Sequence, residues 1–204
     1  MEFLYTLPIP GPILVQLQGI KDLLPMVQRG GIWALSLDLP EGVYSYRFHV
    51  ADLVSVNDPR RSTKRQVSGE TWSVVQVTEA GPIWVERTLP KLTSVQICRG
   101  ISEAGIPLVV VERVGASELP VFLWNQIDHV FQNALMQVFL VRPDQELAFG
   151  GEFLLEQSKA SPHFDLKFWI SISLEPSTVM PGIWTFLVQV EGGPVVTKPF
   201  RLMT

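Results

Sequence analysis

An all-β fold, arranged as two tandem sandwiches, is what this sequence predicts. Three observations carry the prediction: the dominant apolar period is two, turn residues punctuate the runs, and no amphipathic helices separate them. The 204 residues suffice for one large β domain or two smaller ones. Hydrophobic residues make up 47% and charged residues 18%, which is ample for a core and hints at a buried partner surface.

Taken in order, PILVQLQ (12–18) alternates Ile13, Val15 and Leu17 against Leu14, Gln16 and Gln18. In 32–39, Trp33, Leu35, Leu37 and Leu39 share one parity. After the Pro40-Glu41-Gly42 turn, Tyr44, Tyr46, Phe48 and Val50 fill one face, with Ser45, Arg47 and His49 on the other. WSVVQV (72–77) follows a loop. Thr78-Glu79-Ala80-Gly81-Pro82 then changes register, so the expected domains are 1–80 and 83–204. Further strands are expected in IWVERTL (83–89), TSVQICR (93–99), PLVVVERV (107–114), ALMQVFLV (134–141), GEFLLEQ (151–157) and FDLKFWISISL (164–174). The last two runs, GIWTFLVQV and VVTKPFRL, are joined through Glu191-Gly192-Gly193-Pro194, a hairpin signal. Within 118–135, Ile127, Val130, Phe131 and Leu135 fit a helical stripe, so a helix and a strand-connecting loop both satisfy that stretch. Parity places Trp33, Leu35, Leu37, Tyr46 and Phe48 in a first core, and Phe168, Ile170, Trp184, Phe186 and Val188 in a second.

LLPMVQRGGIWALSLDLPEGVYSYRFHV (23–50) resembles carbohydrate-binding module family 48, especially the glycogen-binding module of AMP-activated kinase β subunits. The resemblance rests on Leu24-Pro25-Met26, Leu37-Asp38-Leu39-Pro40-Glu41-Gly42 and Tyr46-Arg47-Phe48. Asp58-Pro59 and Val74-Val75-Gln76-Val77 extend it, so that it covers about residues 10–78. It implies an immunoglobulin-like sandwich of the early-set type. In glucan-binding members it also implies a sugar seated on two tryptophans beside a basic residue and an asparagine. Arg47 keeps the basic position, but the tryptophan positions fall near Lys21 and Val54, and the asparagine at Ser73. Both sugar platforms are missing. A rearranged α-glucan site would use Arg47, Trp72 and Tyr44. In the second half, MPGIWTFLVQVEGGPVVTKPFRL (180–202) resembles the final hairpin of many bacterial immunoglobulin-like domains, which implies fold only.

Residues that could carry chemistry are sparse. DPRRSTKR (58–65) gathers Arg60, Arg61, Lys64 and Arg65, which suit a phosphate, an acidic partner, a nucleic-acid backbone or plain solvation. The net charge of −4 argues against nucleic acid. His49, His129 and His163 lack metal-ligand spacing, so no metal is expected. Asp128-His129 with Ser117 or Ser161 lacks a nucleophile-elbow pattern, so neither catalysis nor a cofactor is expected. The single cysteine, Cys98, falls in an apolar-alternating run and reads as a buried, inert thiol. Trp169 lies among Asp165, Lys167, Ser171 and Ser173 on the polar face of its strand and is a candidate contact residue. No run approaches the roughly 18 apolar residues of a membrane span. MEFLYTLPIPGP has no basic n-region, so a cytoplasmic location is expected. The resulting reading is a non-catalytic interaction protein, an adaptor or oligomeric structural subunit that binds a protein or itself. Binding of α-glucan is the alternative.

Overall fold

The computed structural model describes residues 1–61, 63–83, 89–174 and 179–203. The first half supplies β1 (Glu2–Tyr5), β2 (Ile13–Leu17), β3 (Leu24–Pro25), β4 (Val27–Arg29), β5 (Ile32–Ser36), β6 (Gly42–Val50), β7 (Val54–Val56), β8 (Lys64–Val67), β9 (Glu70–Thr78) and β10 (Gly81–Ile83). The second supplies β11 (Lys91–Ile101), β12 (Pro107–Val110), β13 (Arg113–Gly115), β14 (Val121–Asp128), β15 (Ala134–Val141), β16 (Leu147–Leu155), β17 (Leu166–Ile172), β18 (Gly182–Val190) and β19 (Val196–Met203). Among the described residues the only helical pieces are two single 3₁₀ turns, Ala116–Glu118 and Gln157–Lys159. Among the described residues no helix is long and apolar enough to cross a membrane.

The described strands form four sheets. One has the order β1-β5-β4, and a larger one runs β10-β9-β6-β2-β3 with β7 on β6 and β8 on β9. The second half forms β12-β11-β14-β17 and β13-β19-β18-β15-β16. Every pairing is antiparallel except β13 with β19. Among the described residues no sheet mixes strands from the two halves. The register change expected at 79–83 is a tight turn from β9 into β10, and residues 84–88 lie outside the described residues.

Alternation explains the first core. Successive strand residues face opposite sides, so Tyr46, Phe48 and Val50 are fully buried while Val43 stays exposed. Tyr46 and Phe48 meet Phe3 and Tyr5 of β1 edge to face, with centroids 4.9 Å apart in each of the pairs Phe3–Tyr46 and Tyr5–Phe48. Trp33, Leu35 and Leu37 are half-buried and line this core rather than fill it. In the second core Trp184, Phe186 and Val188 are fully buried, and Phe168 and Ile170 pack against it half-exposed.

Beyond Glu118, which closes a 3₁₀ turn, the stretch 118–135 is not helical. It forms β14 and β15, joined through a turn in which His129 has φ 62°. Val121, Leu123, Asn125 and Ile127 are all buried, so the period of two within β14 overrides the helical stripe, and Phe131 is left exposed. Pairing with β11 on one side and β17 on the other satisfies the backbone of β14, which a lone helical turn would not.

β15 from Met136 onward and β18 from Phe186 onward are buried on both faces. Met136, Val138 and Leu140 join the second core with Trp184 and Phe186. Phe139, Val141 and Leu187 point the other way and join the first core, beside Tyr5 and Phe48. The sheet is therefore a shared middle layer. A strand covered on both sides reads as a continuous apolar run, and that is why ALMQVFLV lacks the alternation of its neighbours.

Candidate interaction surfaces

Three of the four cations of DPRRSTKR turn inward. Asp58 is fully buried at the end of the short strand β7. Its Oδ1 accepts from Arg60 Nε at 3.1 Å, and its Oδ2 from Arg60 Nη2 at 2.9 Å and the Tyr46 hydroxyl at 2.8 Å. Arg61 Nε lies 3.8 Å from the same Oδ2, and burial pushes the Arg61 pKa down. Lys64 Nζ reaches across to Glu191, a nearly buried carboxylate between β18 and β19, at 2.8 Å. The Gly192 amide donates to the Pro59 carbonyl. Burying a charge without a partner costs several kcal/mol, so the two carboxylates dictate where these cations go. Of the four basic residues proposed for a partner, Arg60, Arg61 and Lys64 are half-buried here, and Arg65 is exposed with a hydrogen bond to Gln18.

A polar seam continues from this clasp between the halves. Glu152 of β16 accepts from the Asn57 amide and from Asn57 Nδ2, each at 2.7 Å. Gln137 of β15 donates to the Asn57 carbonyl at 2.6 Å and accepts from the Tyr5 hydroxyl at 3.1 Å. Burial, then the carboxylates of Glu152 and Asp58, hold the Tyr5 pKa well above the usual phenol value. Burial and then Asp58 do the same to Tyr46.

Arg47 and Trp72 share the outer face of the larger sheet of the first half. The guanidinium lies 5.9 Å from the indole centroid, and it also pairs with Glu70 at 3.2 Å and donates to the Ser55 carbonyl at 2.7 Å. Trp72 is only 7% exposed, so it offers no open ring. Tyr44 belongs to the inward-facing parity, with its hydroxyl donating to the Pro40 carbonyl at 2.8 Å. The structure thus brings Arg47 and Trp72 together and leaves Tyr44 apart. Ser73 is buried, its hydroxyl donating to Asn57 Oδ1 at 3.1 Å and accepting from the Asp58 amide at 2.8 Å. Lys21 is exposed, and Val54 is half-buried.

Trp169 stands on the outer face of the four-stranded sheet of the second half. Registers place it opposite Trp124, which lies opposite Gln96. The neighbouring row runs Val110, Cys98, Phe122, Ser171. Burial raises the pKa of Cys98, whose thiol points at the Phe122 carbonyl, as an unreactive thiol requires. The turn between β11 and β12 folds back over this face, and Trp124 Nε1 donates to the Gly105 carbonyl at 2.9 Å. Trp124 is thereby covered, whereas Trp169 stays 43% exposed beside a groove of about 380 Å³ lined by Gly105, Ser161 and Lys167. Leu108 and Val110 on the far side of the sheet are exposed as well. Sequence reading missed Leu108, Val110, Phe122 and Trp124. The signal was the apolar run Leu108-Val109-Val110-Val111 and the common parity of Phe122 and Trp124. Among the described residues, no three His, Cys, Asp or Glu gather where a metal ion could be held.

No family model matches the chain, so the family-48 resemblance rests on the residues quoted for it. No curated protein matches it. Solved structures similar to it include a β-glucosidase from Listeria innocua in complex with glucose, at 12% identity and a TM-score of 0.33, covering 56% of this chain and 16% of that one. A maltogenic amylase from S. marinus aligns at 12% identity and a TM-score of 0.32, over 96% of this chain and 28% of the enzyme. A DUF3823 family protein from Bacteroides ovatus ATCC 8483 aligns at 9% identity and a TM-score of 0.30, over 94% of this chain and 87% of that one. The chain therefore spans 16% and 28% of the lengths of the two enzymes.

Proposed function

We propose that the chain is a non-catalytic binding protein, an adaptor or oligomeric structural subunit that engages a protein through the outer face of the β12-β11-β14-β17 sheet. One observation carries the reading: that face presents Leu108, Val110 and Trp169 at 47%, 54% and 43% exposure on a sheet whose other face is a packed core. Large apolar side chains left exposed on one sheet face mark contact sites, and tryptophan is enriched among the residues that dominate them. The test is a photo-crosslinking amino acid placed at Val110, with Val43 of the first half as the comparison site. Discrete protein adducts from Val110 and none from Val43 are expected. Absence of any adduct from Val110 overturns the reading.

The α-glucan alternative draws less support. A glucose ring stacks on an open aromatic face, and the Trp72 ring is closed off. Glycogen resin is expected to let the chain pass. Retention that disappears in Trp72→Ala or Arg47→Ala would reverse the ranking.

A further inference from the structure

We infer that β17 is a dimerisation edge, at which a second copy of this chain adds its own β17 antiparallel about a two-fold axis through Trp169. The inference goes beyond the binding reading above, since it uses the β17 edge of that sheet and not Leu108 or Val110 on its outer face. β17 pairs with β14 on one side and, among the described residues, with no strand on the other. An edge strand of this kind presents a row of backbone donors and acceptors that another strand can take up. The opposite edge of the same sheet is guarded. β12 begins at Pro107, which lacks a donor, and Val109 has φ 49°, which breaks the extended line. β17 has neither device, and its pairing with β14 runs without a register shift from Leu166 to Ile172.

The residues of β17 are complementary to themselves. Antiparallel pairing centred on Trp169 engages all seven residues of the strand. It sets Leu166 against Ile172, Lys167 against Ser171, Phe168 against Ile170, and Trp169 against its own copy. Apolar inner-face residues meet apolar ones, and Lys167 does not face a second cation. A slip by one residue would turn the inner face of one copy onto the outer face of the other, so the parity is set. A slip by two leaves residues at both ends unpaired. A second observation agrees. Phe168 and Ile170 face the second core yet remain half-exposed at its open border, where a continued sheet would cover them. On the outer face the two indoles meet beside the groove next to Gly105.

The test combines association with register. In sedimentation of the full chain across a dilution series, the wild type should show a monomer–dimer equilibrium. Trp169→Lys, which sets two cations face to face on the axis, should raise the dissociation constant about tenfold or more. Ile183→Lys, an exposed site on the other sheet, should leave it unchanged. Far-ultraviolet spectra and melting curves check that each variant is folded. For register, Lys167→Cys combined with Ser171→Cys should link two chains under mild oxidation, and neither single substitution should. A wild type that is monomeric throughout, a folded Trp169→Lys that dimerises like the wild type, or single variants that link as fast as the double one would each overturn the inference. Adducts from the crosslinker at Val110 alongside a monomeric wild type would leave the binding reading standing and remove this one.

Discussion

At Asp58 a fully buried carboxylate has both oxygens engaged by Arg60, with Tyr46 on the second. Asp58→Ala would strand the Arg60 guanidinium and the Tyr46 hydroxyl, and a loss of about 3–5 kcal/mol in urea unfolding is expected. Asp58→Asn keeps the shape and some of the hydrogen bonds, so it should lose less. The basic cluster was legible in the sequence as composition, but its partners were not. Glu191 is 127 residues from Lys64, and nothing local signals such a pair. His49 makes a second prediction. Its Nε2 lies 2.8 Å from Gln16 Oε1 and its Nδ1 3.0 Å from the Ser55 hydroxyl, an arrangement that suits the neutral ring. Burial, then the neighbouring Arg47, lowers its pKa below the ordinary value of about 6.5. The unfolded chain therefore takes up the proton first as pH falls. Stability should decline as pH drops below about 6.5 and level off once the folded pKa is passed. Melting temperatures at neutral and mildly acid pH should fall further for the wild type than for His49→Gln.

At the scale of the element, β16 shows how tightly the halves fit. A methyl group added at Gly150 would come 2.8 Å from Val54 Cγ1 of β7 and 3.0 Å from the Phe139 ring. Gly150→Ala is expected to cost about 1–3 kcal/mol by overpacking. Combined with Val54→Ala it should cost less than the sum of the two single changes, since the methyl then occupies the vacated space. Chemical denaturation of the four species measures this coupling. The strand β6 was legible because its neighbours bury one face only, so Tyr46, Phe48 and Val50 alternate with Arg47 and His49. β14 and β15 were less so: Ile127, Val130 and Leu135 fit a helical period by accident of the turn at His129. The apolar run at 134–141 was visible, but a single sequence does not say what lies on its second face. Trp169 was found by parity, and the exposed Leu108 and Val110 were hidden in an apolar run that reads like core.

At the scale of the whole molecule, the first core is completed by Phe139, Val141 and Leu187 from the second half. Loss of either half would put that surface in water. Calorimetry is therefore expected to give one transition, with calorimetric and van't Hoff enthalpies equal. Two separated transitions would show that the halves melt independently. The shared middle sheet also bears on how such a chain can be reused. A bead on a string can be cut out and fused to a new neighbour, because it carries its entire interior with it. Here a graft cut after β10 would leave Tyr5, Phe48 and Val56 without the wall supplied by β15 and β18. The transplantable unit is both sandwiches together, and a chimaera should not be joined between the halves.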